Sequence, residues 1–251
     1  AKMEYMMYPR AIALSEIAWS PVSRKNFKDF CRRLDANCVR LDERHIHYHI
    51  PLPEQPLGSC DKVVITGDTA VTFTTSRSMK MVYTLDGSTP TPSSSAYAEP
   101  IRVSGNTIIK IATILPSGKM SRIRTVDVEK QTYAPAVKVE GAKPGLQMKR
   151  IKGNYLKVDQ LEWADAAWEC ANIEGLEQMK IQQKDDAATL RGANNYAAIA
   201  EGYINIPEDG VYYLSSRLEQ VWIDNKLMIS NEGDVKAGTN HDNSAALAKG
   251  V

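Results

Sequence analysis

The sequence has no excess of charge of either sign, because 31 lysine and arginine residues stand against 30 aspartate and glutamate residues. A protein that binds nucleic acid or an anionic membrane gathers a basic excess on one face, so we expect neither partner. No run approaches the roughly 18 consecutive apolar residues of a membrane span, and the first residues have no apolar signal-peptide core. The remaining composition, 43% hydrophobic and 24% charged, argues against disorder.

Cysteine is scarce and irregularly spaced. The chain has only Cys31, Cys38, Cys60 and Cys170, whose spacing matches neither a CxxC motif nor a zinc site. Cys31 and Cys38 fall on one predicted helix, about 10 Å apart along its axis, which is too far for a disulfide. We interpret both as small buried apolar residues, and we predict no cofactor.

Signatures of familiar chemistry are also missing. The sequence has no glycine-rich phosphate loop and no Ser-His-Asp arrangement. His45, His47 and His49 alternate as neighbours on one side of a strand would, and three imidazoles could hold zinc. No carboxylate that could orient them is evident, so we predict no metal site.

The hydrophobic periodicity changes along the chain and divides it into three zones, 1–57, 58–133 and 134–251. The first zone is helical, whereas the other two alternate with a period of two between turn residues. Proline-rich stretches at 51–58 and 134–145 separate the zones, and we interpret both as linkers. The sequence therefore predicts a mainly β protein, with two consecutive β-sandwich domains after an N-terminal pair of helices.

Strands are predicted at the short β-branched runs of the second and third zones. They lie at 63–65, 71–75, 80–85, 101–103, 107–114, 123–128, 202–206, 211–215, 221–223 and 226–229. The segment 163–175 fits either a helical turn or a loop.

The two predicted helices of the first zone carry more apolar surface than they can cover themselves. The segment from Lys2 to Trp19, which Pro9 opens or kinks, is apolar on nearly all sides, and Phe27 to Leu41 carries a second apolar stripe. Such helices need a partner outside this chain. Without it we expect residues 2–44 to be weakly anchored or to self-associate.

Several rare residues hold fixed spacing in this zone: Glu4-Tyr5-Met6, Tyr8-Pro9-Arg10, Ser15-Glu16 and Trp19-Ser20-Pro21. In them the zone resembles the end of the catalytic barrel of family 20 glycoside hydrolases, the β-N-acetylhexosaminidases. There a Tyr-Met-x-Phe/Tyr-Pro-Arg segment opens the last barrel helix and an Ala-Glu-x-x-Trp-Ser-Pro segment closes it; Ser15 stands where the family often has alanine. The resemblance implies that Glu16 and Trp19 pack this helix on the barrel and that Arg10 pairs with a carboxylate elsewhere in it.

The other two zones carry the signatures of appended modules. The segments Val82–Pro90 and Tyr97–Ile101 resemble the chitobiase-type C-terminal β-sandwich that follows this barrel in many bacteria. The segments Ala200–Tyr212 and Val221–Leu227 resemble an anthrax protective-antigen-type β-domain. Some lectins of that second type hold calcium through paired aspartates, but Ser215-Ser216-Arg217 offers no carboxylate, so we expect no calcium site.

The resemblance also implies where the chemistry lies. Family 20 catalysis uses an adjacent Asp-Glu pair on an earlier barrel strand, with the substrate's N-acetyl group as nucleophile. The acidic pairs here are Asp42-Glu43, Asp185-Asp186 and Glu208-Asp209. None has that context, and we interpret all three as solvated surface. The chain therefore contains no predicted catalytic residue and is expected to be inactive by itself.

The function implied is that of an accessory region of a β-N-acetylhexosaminidase that removes terminal N-acetylhexosamine and is periplasmic, cell-surface or secreted. The implied partner is the remainder of the catalytic barrel. A second hypothesis is a carbohydrate-binding module, with sugar rings stacking on Trp163, Trp168 or Trp222. A third is a protein–protein docking module, for which a large exposed apolar patch would be the evidence.

Overall fold

The computed structural model describes residues 2–56, 61–153, 155, 158, 161, 169–176, 196–231 and 241–251. Its contacts divide the chain into two compact units, Ala1–Lys130 and Gln131–Val251. Strands outnumber helices in the described ranges, so the prediction of a mainly β protein is confirmed. None of the described helices is long and apolar enough to cross a membrane.

A β-sandwich fills most of the first unit. Its strands are β1 (Lys62–Ile65), β2 (Thr69–Val71), β3 (Lys80–Thr84), β4 (Ser95–Ala96), β5 (Ile101–Val103), β6 (Thr107–Ile114) and β7 (Arg124–Lys130). One sheet has the order β1-β7-β6-β3-β4, with β1 parallel to β7, and β2 pairs with β5 in the other. The strand predicted at 71–75 instead ends at Val71.

The core of the sandwich comes from the central strands β6 and β7. Ile109, Ile111, Val126 and Val128 have no solvent exposure, as the alternation of side chains on a half-buried strand requires. The backbone N–H of Phe73 donates to the hydroxyl of Tyr97 at 2.9 Å; both residues belong to the same core cluster.

Three α-helices precede the sandwich: α1 (Lys2–Met7), α2 (Arg10–Trp19) and α3 (Phe27–Glu43), with a 3-10 turn at Val22–Arg24. Pro9 opens α2 and Ser20 ends it. The side chain of Asn26 caps α3 by accepting a hydrogen bond from the Asp29 N–H at 3.0 Å, which satisfies a backbone donor that the helix leaves free.

The buried face of α3 packs on the sandwich. Leu34, Cys38 and Leu41 form one apolar cluster with Leu115, which follows β6, and Met79 lies against the same cluster. The expectation of weak anchoring is therefore wrong for the part of α3 that carries Leu34, Cys38 and Leu41, because a later part of the same chain covers these residues. Self-association of residues 2–44 stays a prediction. The hydrophobic periodicity of a helix shows that its apolar stripe must pack against another segment, but it does not show which segment that is.

The proline-rich stretch before the sandwich is not a free linker. Glu54 and Thr74 exchange two backbone hydrogen bonds of 2.8 Å, and the Arg124 side chain donates to the carbonyl of Pro53 at 3.2 Å. Pro53 is among the most deeply buried side chains. Proline cannot donate in a ladder, yet it suits an edge segment whose other residues do.

The second unit is also built from strands: β8 (Leu146–Lys152), β9 (Glu169–Ile173), β10 (Tyr196–Glu201), β11 (Gly210–Ser216), β12 (Gln220–Ile223), β13 (Lys226–Ser230) and β14 (His241–Leu247). A three-stranded sheet has the order β10-β8-β9, and two further pairs join β11 to β14 and β12 to β13.

Two predictions for this unit are wrong. The strand expected at 202–206 lies earlier, as β10, and only Ile206 of the expected range forms a bridge, with Gly250. The stretch 134–145 is not purely a linker, because Ala134 exchanges backbone hydrogen bonds with Ala246 and Ala248. In the segment 163–175, for which a helical turn or a loop was expected, Glu169–Ile173 instead form the strand β9.

The cluster between α3 and the sandwich predicts that both unfold together. Leu115→Ala removes a side chain that is 4% exposed, and we expect it to lower the free energy of unfolding by about 2–4 kcal/mol. Urea denaturation followed by a helix signal and a sheet signal should give one shared transition that moves to lower urea. Ile108→Ala is the control because Ile108 is 46% exposed. A loss confined to the sheet signal would contradict the packing.

Candidate docking face on the N-terminal helices

The first two helices expose large apolar side chains. Trp19 is 88% exposed and Leu14 is 67% exposed, and within the described range 2–19 no residue of α1 or α2 is buried. We define the docking face as the exposed apolar residues of this region: Met3, Met6, Met7, Leu14, Ile17, Trp19, Val22 and Phe27. Exposed apolar surface concentrated in this way marks an interaction site.

The helical spacing of α2 arranges part of this face in a row. Arg10, Leu14 and Ile17 are separated by four and three residues, so their side chains leave the helix on the same side. All three are exposed. The Arg10 guanidinium donates to the Met6 carbonyl at 3.2 Å and, within the described ranges, takes part in no ion pair.

The opposite side of α2 lies on α3. Tyr8 and Ile12 are partly buried against the cluster of α3 and Leu115. Glu16 accepts two hydrogen bonds from the Arg33 guanidinium, at 2.7 and 2.9 Å. Hydrogen bonding to Arg33 holds the pKa of the Glu16 carboxyl below its ordinary value. These contacts orient α2 so that the side that carries Arg10, Leu14 and Ile17 points away from α3.

An ionic clasp of Asp42, Tyr48 and Lys119 joins the end of α3 to the sandwich. Asp42 accepts from the Tyr48 hydroxyl at 2.9 Å and from the Lys119 ammonium at 2.5 Å. Lys119 also lies 4.0 Å from the centroid of the Tyr48 ring, a cation–π geometry. Burial and the bond to Asp42 raise the pKa of Tyr48.

The clasp corrects the interpretation of Asp42-Glu43 as solvated surface. Glu43 is exposed, whereas the Asp42 carboxylate makes two internal bonds. A second ion pair, from Arg77 to Asp35 at 2.5 Å, joins α3 to the loop before β3. Sequence reasoning missed Arg77 and Lys119, because their partners lie 42 and 77 positions away.

The alternating histidines lie between α3 and the sandwich, in a segment that belongs to no described strand. His45 turns the chain after α3 with a φ of 55°, and the His47 N–H donates to Glu4 at 3.4 Å. The His49 ring meets Tyr5 edge-on, with centroids 5.2 Å apart. Among the described residues, no three His, Cys, Asp or Glu side chains are grouped to hold a metal ion.

The cysteines of the described ranges are unpaired. Cys38 is buried, and burial raises the pKa of its thiol. Cys31 is only partly buried and Cys170 is exposed, so the interpretation of Cys31 as buried holds in part. Cys60 lies outside the described residues.

In the second unit, one predicted stacking residue can be placed. Trp222 on β12 is 54% exposed and pairs across the hairpin with Leu227, which is 41% exposed. Its indole N–H donates to the Gln220 side chain at 3.0 Å. Asp224 and Asn225 form the turn with positive φ, the backbone geometry of a tight hairpin.

Of the other residues singled out in this unit, some lie outside the described residues and some can be placed. Trp163, Trp168 and the pair Asp185-Asp186 lie outside the described residues. Asp209 accepts a hydrogen bond from the Lys249 N–H at 2.7 Å, so this carboxylate fixes a turn to the end of the chain.

Each unit contains a match to a known domain family. Residues 64–125 match the family described as Chitobiase/beta-hexosaminidase C-terminal domain, which covers β2 to β6. Residues 178–250 match the PA14 domain, the protective-antigen type. The class of protein indicated is therefore one that carries a chitobiase/beta-hexosaminidase C-terminal domain followed by a PA14 domain.

One protein with a similar sequence narrows the class of protein further. The chain is 43% identical over 249 residues to a Beta-hexosaminidase of Porphyromonas gingivalis (strain ATCC BAA-308 / W83), a match that spans 99% of this chain and 32% of that protein. Together these matches support a C-terminal portion of a hexosaminidase. The chain spans about a third of the length of the relative that it matches.

The pair of Glu16 and Arg33 predicts how α2 is attached. Glu16→Gln removes the charge, and we expect faster protease cleavage in the connection 20–26, because α2 has no buried residue to hold it. Acid should have the same effect on the unmodified chain. The stabilisation by Glu16 is complete above about pH 4.5, the ordinary pKa of this carboxyl, and it is lost as the pH falls from there through the lower pKa of the folded state.

Limited proteolysis read by mass spectrometry measures both effects. Glu43→Gln is the matched control, since Glu43 is an exposed glutamate of the neighbouring helix. Equal cleavage of the two variants would show that the ion pair does not attach α2.

Proposed function

We propose that this chain is the non-catalytic C-terminal region of a β-N-acetylhexosaminidase, and that the docking face packs on the remainder of the catalytic barrel. The observation that carries this proposal is the two-sided arrangement of α2. One side is held on α3 by Glu16 and Arg33, while the other exposes Leu14 and Ile17. A helix that separates these surfaces is suited to lie between two protein layers.

The sandwich has a mechanical role in this proposal. Asp35 and Asp42 tie α3 to Arg77 and Lys119 of the sandwich, and Glu16 ties α2 to α3. Ionic and apolar contacts therefore connect the docking face to the β-core, which holds it in position. The module braces the end of the barrel instead of taking part in its chemistry.

The activity of the whole protein belongs to the proposal as well. A relative named Beta-hexosaminidase favours hydrolysis of terminal N-acetylhexosamine residues, and we propose that the protein is periplasmic, cell-surface or secreted. The acidic pair Asp42-Glu43 supports a non-catalytic role for this region, because the Asp42 carboxylate is held in internal contacts by Tyr48 and Lys119.

The docking proposal predicts a difference between the isolated chain and the full-length protein. The chain alone should release nothing from a chromogenic β-N-acetylglucosaminide, while the full-length protein turns it over. Leu14→Glu with Ile17→Glu in the full-length protein should lower its stability by at least about 3–6 kcal/mol, because each change removes about 1.5–3 kcal/mol of apolar burial. The buried charge that each change adds lowers the stability further.

Thermal unfolding and residual activity measure this effect. Ile108→Glu is the control, since Ile108 is exposed on the sandwich. Turnover by the isolated chain, or full-length stability unchanged by the double variant, would contradict the proposal.

A second candidate function is carbohydrate binding by the second unit, which the exposure of Trp222 favours. Its polar edge is already bonded to Gln220, so the flat face of the ring and Leu227 are what the hairpin offers to a ligand. A pyranose ring presents C–H groups that pack on such an aromatic face.

Binding through Trp222 makes a separate prediction. On a glycan array, the chain should show saturable binding that Trp222→Ala lowers at least tenfold, because the stacking platform is lost. Trp19→Ala is the matched control, as Trp19 is exposed in the other unit. An array without saturable signal, or equal loss in both variants, would remove this candidate and leave the bracing role.

A further inference from the structure

Two basic side chains from separate segments, Arg122 and His49, meet at the ring of Tyr5 on α1, and a third, Arg10, is near enough for its charge to act on His49. The Arg122 guanidinium, from the connection between β6 and β7, lies 5.4 Å from the centroid of the Tyr5 ring. The His49 ring meets the same aromatic ring at 5.2 Å and 74°. The His49 N–H donates to the Tyr8 carbonyl at 3.0 Å, which brings His49 beside the start of α2, where Arg10 stands.

Arg10 and Arg122 are exposed, and neither forms an ion pair with any residue that the structure describes. Burial, followed by the charges of Arg10 and Arg122, keeps the pKa of the His49 imidazole below its ordinary value, whereas the charge of Glu54 acts in the opposite direction. Glu4, the acid on α1, accepts from the His47 N–H.

Two guanidinium groups beside a half-buried imidazole attract an anion. A carboxylate suits them best, because a guanidinium presents parallel donors that match two carboxylate oxygens. An anion would also compensate the charge of a protonated imidazole, so the three groups would act together.

The position of Arg10 indicates where the carboxylate comes from. Arg10 shares one side of α2 with Leu14 and Ile17, which belong to the docking face. Any protein surface that covers those two residues also covers Arg10, and a guanidinium removed from water needs an anionic partner.

We propose that Arg10, Arg122 and His49 form a binding site for a carboxylate, supplied by an acidic side chain of the surface that covers the docking face. The source of the carboxylate rests on the proposed function. The site itself does not, and it can be tested on the chain alone.

The first experiment titrates the chain with acetate, at ionic strength kept constant with chloride, and follows the histidine ring signals by NMR. With four histidines in the chain, a His49→Gln variant assigns the signal. We expect a saturable shift of the His49 signal and a rise of its pKa with acetate, because a bound anion stabilises the protonated ring.

Matched arginine variants show whether acetate binds at the cluster of Arg10, Arg122 and His49. Arg122→Met should weaken the acetate affinity at least fivefold, and Arg10→Met should act in the same direction. Arg102→Met, at an exposed arginine of β5, should leave it unchanged. A shift that does not saturate, or that Arg102→Met and Arg122→Met change equally, overturns the site.

The same acetate titration of the full-length protein tests where the carboxylate comes from. If an acidic side chain fills the site, acetate should bind at least tenfold more weakly there than to the isolated chain. Equal acetate binding in both proteins overturns the source but not the packing of Leu14 and Ile17, which the stability of the double variant measures separately.

Discussion

The contact between α3 and the loops of the sandwich is the constraint on which the first unit depends. Leu115 completes the apolar cluster of Leu34, Cys38 and Leu41, and Lys119, four residues further on, closes on Asp42 and Tyr48. The apolar contact supplies burial, and the ionic clasp fixes the register of the helix on the sandwich. A hydrogen-bonded charge pair at the rim of an apolar cluster is stronger than one in open water, because the surrounding protein screens it less.

This contact decides which surface of the helices is left for a partner. Because α3 is fixed on the sandwich and Glu16 holds α2 on α3, the row of Arg10, Leu14 and Ile17 can only face outward. The match to about a third of a hexosaminidase gives that outward surface its proposed partner. The same geometry gives the sandwich its proposed role as a brace.

Much of the fold could be predicted because periodicity and turn residues act locally. The strands β5 and β6 begin and end where their β-branched runs do, and Pro9 and Pro21 bound α2 as their missing N–H groups require. What could not be predicted depends on distant partners. The proline-rich segment around Pro53 was interpreted as a linker, yet its pairing with Thr74 has no local signature.

In the candidate docking face, too, features with a local sequence signal could be predicted, and contacts with distant partners could not. The excess of apolar surface on the first helices was predictable from composition, since residues 2–19 are apolar on more sides than a surface helix needs. The partner of Glu16 was not, because the resemblance placed its contacts in the barrel, whereas the side chain pairs with Arg33 of the next helix. Residue types indicate which groups need partners, and only the tertiary structure selects them.

Native-state hydrogen exchange of the isolated chain tests most directly whether α3 and the sandwich form one cooperative unit. We predict that the amides of Leu34 to Leu41 exchange with the same opening free energy as those of Ile109 to Ile111, and with the same dependence on urea. Exchange of the α3 amides at a much lower opening free energy, independent of urea, would contradict the account.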